Sequence, residues 1–492
     1  MISLVRAFQG VSPVLRVLAL VTMLFSGTML VPLAVALGYR DAALYAYDEA
    51  FAITLVSGVG LWAATRHAKR ELQTRDGFLL VVVVWAMLPV FAALPLLFFL
   101  PELSFTDAYF ESISGLTTTG ATVLSGLDEL PPSINIWRGL LQWLGGMGII
   151  VLAVAILPLL GVGGRQLYKA ETPGPMKEVR LTARITQTAK GLWLVYAGIT
   201  LACIVSYRAA GMSWLDAFIH SFTTMSLGGF STHDASYGFF DSPAIEAVAI
   251  VFMLISGVNF ATHFLALRKH SLAPYRLDPE ARWFLLAMAG STLIVAAFLW
   301  QSGTYASFAT ALRYSAFNVI SIGTTTGYAN TDYNLWPIFA PLTMLLLCCT
   351  TSSAGSTGGG IKMIRTRLLV LQGLREMIKL LHPQAQVPVK LGGQVIPNQI
   401  VFAVLAFMSL WGASVTVMTM MLLASGLDLV TAFSAVIASI TNTGPGLSEV
   451  GPATTYASFT DFQTWVCAIA MLLGRLELFT VFVLFTPAFW RK

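Results

Sequence analysis

The stretch DAYFESISGLTTTG, residues 107–120, decides the fold. Its first ten residues suit a short helix, and the last four are small or hydroxyl-bearing and end in glycine. Such a segment is too short to cross a bilayer, which takes about 20 apolar helical residues. The pattern recurs three times, as DAFIHSFTTMSLGG (216–229), YSAFNVISIGTTTG (314–327) and TAFSAVIASITNTG (431–444). Five residues past the aligned glycine, three copies carry an acid: Asp234, Asp332 and Glu449. The first carries Ser125 there, with Asp128 and Glu129 just beyond. Repeats of this kind outrank any single motif as a guide to architecture.

Working outward, each copy lies between two apolar runs. Runs long enough to span occur near 14–37, 48–65, 77–100, 134–160, 191–209, 243–267, 282–300, 337–361, 399–424 and 462–486, which predicts ten crossings. The first run, after two arginines, is longer than a signal-peptide core and reads as a retained helix. The unit is therefore crossing, half-helix, extended loop, crossing, four times in parallel. This predicts an all-α polytopic membrane protein with four tandem M1–P-loop–M2 repeats around one pseudo-fourfold pore, plus two N-terminal accessory helices. The expected division is 1–76 for the accessory pair, then 77–180, 181–281, 282–398 and 399–492 for the four repeats.

Composition agrees. Of 492 residues, 56% are hydrophobic and 11% charged, against about 25% charged in soluble domains. All Lys and Arg except Arg40, Arg138, Arg208, Arg313 and Arg475 lie at the termini or in segments 66–76, 161–190, 268–282 and 362–390, and most acids lie elsewhere. The positive-inside rule then puts both termini and those segments in the cytoplasm. The formal charge of +5 is thereby explained by topology and calls for no nucleic-acid partner. Cys203, Cys348, Cys349 and Cys467 lie in apolar stretches without metal-ligand spacing and read as core residues. No nucleophile–base set or nucleotide loop points to an enzyme.

Extended backbone at membrane depth is tolerated only where it lines a cavity. Small residues there, reached by a half-helix whose C-terminal partial negative charge points inward, suit a selectivity filter in which carbonyls replace a cation's hydration shell. The expected filter is Thr118, Thr119 and Gly120; Leu227, Gly228 and Gly229; Thr325, Thr326 and Gly327; and Asn442, Thr443 and Gly444. Its ligands to a monovalent cation would be mainly main-chain oxygens of Thr118, Thr119, Leu227, Gly228, Thr325, Thr326, Asn442 and Thr443. The competing reading is a set of tight external turns.

Two interruptions follow. TTSSAGSTGGG at 350–360 breaks the eighth run, since Pro337 to Cys349 gives only about 20 Å of helix. Gly355, Gly358, Gly359 and Gly360 suit an intramembrane loop that blocks the pore, or simply a flexible exit to the cytoplasm. Arg475 lies about 21 Å down a helix from Asp461, near the bilayer middle, where a charge costs at least ~2.5–3.5 kcal/mol and so faces a pore or a partner. It reads as a gate charge that repels cations or as half of a buried ion pair. The six histidines, including His220 and His233, have no metal spacing and read as satisfied polar residues. The run 176–190, MKEVRLTARITQTAK, reads as a basic cytoplasmic helix facing solvent, lipid or a partner.

The stretches TTTGAT (117–122), SLGGFSTHD (226–234), GTTTGYANTD (323–332) and TNTGPGLSE (441–449) resemble the filter loops of the Trk/Ktr/HKT superfamily of potassium uptake proteins. QWLGGMGIIVLAVAILP (142–158), RLTARITQTAKGLW (180–193), GGGIKMIR (358–365) and GRLELFT (474–480) extend the likeness over nearly the whole chain. The accessory pair is like the TrkH branch rather than the KtrB branch. Ala183 departs from an expected proline. The resemblance implies K+ as the transported ion with no organic cofactor, and the broken third-repeat helix as a gate with Arg475 at the pore wall. It implies a bacterial inner-membrane location, a homodimer amid membrane lipid, and a cytosolic TrkA-like nucleotide-binding regulatory subunit. A K+ secondary transporter coupled to H+ or Na+ on the same fold is the alternative function.

Overall fold

The computed structural model describes residues 2–67, 70, 72–148, 185–350 and 352–491. The inner part of the 134–160 run and most of the basic helix 176–190, with Ala183, lie outside the described residues. The chain is an all-α polytopic membrane protein. Strand among the described residues is one small pair, Lys390–Leu391 against Gln394–Val395.

The accessory helices are Ile2–Thr28 with Leu30–Tyr39, and Leu44–Thr65. The first packs against the third and against Thr74–Ala92, the opening helix of the first repeat. The four half-helices are Phe105–Leu116, Trp214–Met225, Phe308–Gly323 and Leu429–Ile440. Each follows a crossing: Thr74–Ala92 with Leu94–Phe99, Ile185–Ala209, Pro279–Gln301, and Asn398–Ala424.

The half-helices all start the same way. Ser104, Ser213, Ser307 and Asp428 stand at the N-caps, and their side-chain oxygens accept from the main-chain N–H of Asp107, Asp216, Thr310 and Thr431. Each cap satisfies a donor that a helix start leaves orphaned, worth about 1 kcal/mol.

In repeats two, three and four the second crossings are not the continuous helices that the apolar runs suggest. In the second repeat, Pro243–Ser256 and Phe260–Lys269 meet at 91°, and in the fourth, Asp461–Leu476 and Leu478–Phe485 meet at 108°. The third has Phe339–Thr350, the glycine-rich stretch, and then Met363–Leu381. Local chemistry explains the corners. Asn259 leaves the helix and caps the next one through Ala261 N–H (2.8 Å), and Glu477 sits at φ 58°. Five described helices are long and apolar enough to cross singly, seven spans if each bent pair is one.

Polarity is sorted as lipid dictates. Large apolar side chains such as Val56, Leu201, Leu293 and Phe402 are exposed on the crossings, whereas buried Ser and Thr concentrate on the half-helices. Ser112, Ser114, Ser221, Thr223, Ser321 and Ser439 are all buried. The polar centre of the fold is thus where the four half-helices converge.

Candidate functional site

Each half-helix ends in a Schellman motif, and the motif leads straight into its glycine loop. In the first repeat Thr118 N–H donates to Gly115 O (3.0 Å) and Thr119 N–H to Ser114 O (2.8 Å). The equivalents are Leu227 to Thr224 and Gly228 to Thr223, Thr325 to Ile322 and Thr326 to Ser321, and Asn442 to Ser439 and Thr443 to Ala438. The pattern needs a left-handed residue just past the helix cap. That residue is Thr118 (φ 56°), Leu227 (54°), Thr325 (65°) and Asn442 (56°), none of them glycine. A left-handed residue with a side chain costs on the order of 1–2 kcal/mol, so the surroundings hold each one in place.

Two residues later Gly120, Gly229, Gly327 and Gly444 are left-handed again, at φ 80–95°. Here glycine is required twice over, by φ and by space. A Cβ on Gly120 would run into Gly228 O, on Gly229 into Thr326 O, and on Gly327 into Thr443 O. On Gly444 it would meet Thr119 O at 2.6 Å. The contacts run from repeat one to two, two to three, three to four, and four back to one. The four loops therefore form a closed ring, and all twelve residues picked out as the filter lie in it.

The ring leaves oxygens over. Thr118, Thr119, Leu227, Thr325, Thr326, Asn442 and Thr443 are almost completely buried. Among the described residues no hydrogen bond ends on their main-chain oxygens. Buried carbonyls without a donor are rare and costly, so this cluster calls for water or a cation. The set is all oxygen, the ligand type of a hard cation. No group of three or more His, Cys, Asp or Glu suited to a metal occurs among the described residues.

Side chains brace the ring from behind. In three loops a hydroxyl pair ties strand to helix end: Thr117 with Thr119 (2.8 Å), Thr324 with Thr326 (2.7 Å) and Thr441 with Thr443 (2.8 Å). Asn442 Nδ2 donates to Thr119 Oγ1 (3.0 Å) and Tyr456 Oη to Gly444 O (2.9 Å). The second loop has Gly228 where the others have threonine. There Gln142, from helix Pro132–Gly146 of the first repeat, reaches in.

On one side of the ring lies a cavity of about 280 Å³, lined by the four glycines and by Arg138, His233 and Asp234. Adjacent repeats are tied across its rim. Asp234 accepts from Gly126 and Leu127 N–H (2.9 and 3.1 Å), Tyr237 N–H donates to Ala329 O (2.9 Å), Asn334 Oδ1 accepts from Ser448 N–H (3.2 Å), and Tyr456 N–H donates to Thr122 O (2.9 Å). Asp234 and Asp332 thus hold loops, the latter by capping Tyr333–Leu335. His233 Nδ1 pairs with Asp128, its Nε2 lies 3.5 Å from Asp216, and its ring stacks on Phe239 at 3.5 Å. Burial alone would lower the His233 pKa, but the two carboxylates outweigh it and the net shift is upward. Behind the rim, buried Arg138 pairs with Glu111 (2.8 Å) and donates to Ser231 O (3.0 Å).

At the opposite end the glycine-rich stretch 352–362 packs against the ends of the half-helices. Thr357 Oγ1 donates to Met225 O (2.9 Å) and Gly359 N–H to Thr325 Oγ1 (2.8 Å). Gly359 lies so close to Thr441 O that a Cβ would not fit, and Gly358 has Thr324 O at 3.0 Å from that position. Gly360 packs on Cys348 O. Gly355 stands apart, its carbonyl accepting from Phe260 N–H (3.0 Å) at the corner of the second repeat. Arg475 donates to Thr357 O (3.1 Å), Thr118 Oγ1 (3.2 Å), Gly146 O (3.1 Å) and Gly145 O, spanning this stretch and the first loop. Glu477 turns away to Arg365 (2.8 Å). His220 is buried between Asp216 O and Ser231 Oγ, and all four cysteines are buried and free.

Sequence reasoning missed Gln142, the Arg138–Glu111 pair and the repeated caps. The caps had a signal, Ser-x-x-Asp before the first two half-helices. Gln142 had none beyond its place in an otherwise apolar run.

A family model described as "TrkH: Cation transport protein" matches residues 46–492. The Trk system potassium uptake protein TrkH of Halomonas elongata is 48% identical over 480 residues, covering 97% of this chain and 99% of that protein. TrkH of Escherichia coli is 47% identical over 478 residues, with the same coverage. The E. coli Trk system potassium uptake protein TrkG is 38% identical over 470, covering 95% and 96%. The crystal structure of the potassium transporter TrkH from Vibrio parahaemolyticus superposes with a TM-score of 0.87 at 45% identity, covering 98% of this chain and 99% of that one.

Proposed function

The chain belongs to the TrkH family of cation transport proteins, and from that premise we propose that it takes up potassium across a bacterial inner membrane through a gated, channel-like pore. The filter is the ring of four glycine loops. One observation carries this reading: a closed ring of glycine loops in which the buried main-chain oxygens of Thr118, Thr119, Leu227, Thr325, Thr326, Asn442 and Thr443 accept no hydrogen bond among the described residues. Carbonyl dipoles held at fixed spacing replace a hydration shell for the ion they fit, and the half-helix ends add partial negative charge.

The stretch 352–362 is the gate. It closes the end of the ring away from the cavity, and Arg475 adds positive charge there. A cation leaving the filter meets both, in surroundings where charges interact more strongly than in water. Movement of the second crossings at their corners would carry the stretch aside. The family premise further implies a homodimer and a cytosolic TrkA-like nucleotide-binding subunit that works the gate, and the placement of Lys and Arg favours cytoplasmic termini.

The test is flux of K+, Rb+ and Na+ into proteoliposomes, with and without imposed pH or Na+ gradients. The proposal expects K+ and Rb+ to pass, Na+ to be excluded, and the rate to follow the K+ gradient and membrane potential alone. Uphill K+ accumulation driven by a pH or Na+ gradient would replace the pore with a coupled symporter. Equal passage of K+ and Na+ would remove the filter.

A further inference from the structure

The second loop differs from the others where the ring is most demanding. Loops one, three and four carry Thr119, Thr326 and Thr443 between their two left-handed residues, each hydroxyl bonded to its own helix end. The second carries Gly228 followed by Gly229, a pair without side chains, and Ser226 Oγ turns back to Thr223 O (3.2 Å). A Gly–Gly peptide has the widest choice of orientation in the chain. Left alone, the Gly228 carbonyl would be the least fixed of its layer.

The fully buried side chain of Gln142 fills that gap. Its Nε2 donates to Gly228 O (2.6 Å), and its Oε1 accepts from Phe230 N–H (3.1 Å). The amide thus clamps the peptide groups on both sides of Gly229. It also occupies the space a side chain would take, since the three atoms nearest to a Cβ on Gly228 would all belong to the Gln142 amide. One turn earlier on the same helix, Arg138 holds Ser231 O (3.0 Å), a second rung of the brace. Counted from the first helical residue, the equivalents in repeats two and four are Met253 and Met471, which lack this chemistry.

We infer that Gln142 sets the filter's ion preference by holding the second loop from the neighbouring repeat, in place of the hydroxyl staple that this loop lacks. A carbonyl oxygen has two lone pairs. The Gln142 bond takes one and fixes the peptide plane, leaving the other to face an ion. Gln142 is a positioning residue that touches no ion itself. The inference rests on the reading of the ring as a potassium filter.

The experiment measures K+/Na+ permeability ratios and thermal stability in proteoliposomes. The unmodified protein comes first, and a ratio near one would overturn the parent reading and this inference with it. Given a selective parent, Gln142→Leu, similar in volume but without the amide, should lower the ratio about tenfold while K+ still passes. Gln142→Glu keeps an acceptor for Phe230 N–H, loses the donor to Gly228 O, and should lower the ratio as well. The decisive variant is Gln142→Ala with Gly228→Thr, which vacates the space and supplies the hydroxyl. It should regain selectivity relative to Gln142→Ala alone. Should the leucine variant fail to fold, the glutamate and paired variants decide. An unchanged ratio in the single variants, or no recovery in the pair, overturns the inference.

Discussion

The four glycine loops and the 352–362 stretch both lie at the C-terminal ends of the half-helices, yet they are held in different ways. Each glycine loop is bonded first to its own helix, through two main-chain bonds of a Schellman motif, and only then to its neighbours. The 352–362 stretch has a few bonds within its own segment but is anchored by groups far along the chain: Met225 O and Gly257 O of the second repeat, Glu280 at the start of the crossing Pro279–Gln301, Thr325 Oγ1 of the third filter loop, and Arg475 of the fourth repeat. A locally bonded loop keeps its shape when repeats shift. A stretch held from several repeats keeps its place only while they stay in register. Selectivity needs the first property and gating the second.

The largest effect should come from breaking the rigid side. Gly229→Ala or Gly327→Ala puts a Cβ into a neighbouring carbonyl at positive φ. Left-handed strain and overpacking each cost about 1–3 kcal/mol, so K+/Na+ selectivity should fall on the order of 100-fold. Gly444, with a less tight contact, should be the mildest of the set. Permeability ratios of the three variants check the ranking, and a ratio unaltered in all of them would detach these loops from selectivity.

Next is the conditional side. Arg475→Ala removes bonds joining Thr357 to the first loop and second crossing. Each charge-assisted bond is worth about 1.5–3 kcal/mol, so K+ flux through the isolated subunit should rise about tenfold with the K+/Na+ ratio intact. A fall in selectivity of the same size would mean that the two ends of the ring are one mechanical unit. A smaller effect is expected at Glu280, whose Oε1 accepts from Ala354 and Ile364 N–H (3.2 and 2.9 Å), near either end of the stretch. Glu280→Ala strands two donors, costs about 2 kcal/mol of stability and should raise flux a few-fold. Glu280→Gln keeps an acceptor and should do less. Melting temperature and flux on both variants test this.

The contrast between the two sides also governs what could be read from the sequence. The glycine loops were legible because four copies repeat one local solution, and local bonding writes itself into spacing: about ten helix-compatible residues, then small or hydroxyl residues, then the aligned glycine. The broken third crossing was legible from TTSSAGSTGGG alone. The corners at Gly257–Asn259 and Glu477 were not, because apolar sequence continues on both sides of them and the turn is set by one cap and one left-handed residue. Gln142 was hidden for a further reason. Its partners lie 86 and 88 residues away, and nothing local distinguishes a brace from an ordinary buried glutamine.

The smallest effect is expected at the rim, where His233 of the second repeat joins Asp128 of the first. This bond crosses between repeats, as the gate's do, yet belongs to the rigid side, so its titration separates location from mode of attachment. Burial opposes protonation of His233, but the Asp216 and Asp128 carboxylates prevail and its pKa is raised from about 6.5. Burial likewise opposes ionisation of Asp128, but its bond to His233 and the Asp234 N–H lower its pKa overall. The sign follows. A group whose folded pKa is raised stabilises fully below its unfolded pKa and loses that contribution as pH rises through the folded value. Asp128 loses its contribution only as pH falls through its depressed value. The tether is therefore complete in mildly acidic solution and weakens above about pH 6.5, with an amplitude of about 1 kcal/mol or less for so exposed a pair. Thermal stability of the parent should decline between pH 6 and 8 relative to His233→Gln, with K+/Na+ selectivity steady in both. Parallel stability profiles would discard the tether, and a selectivity that followed the His233 titration would show that the ring is not rigid on its own account.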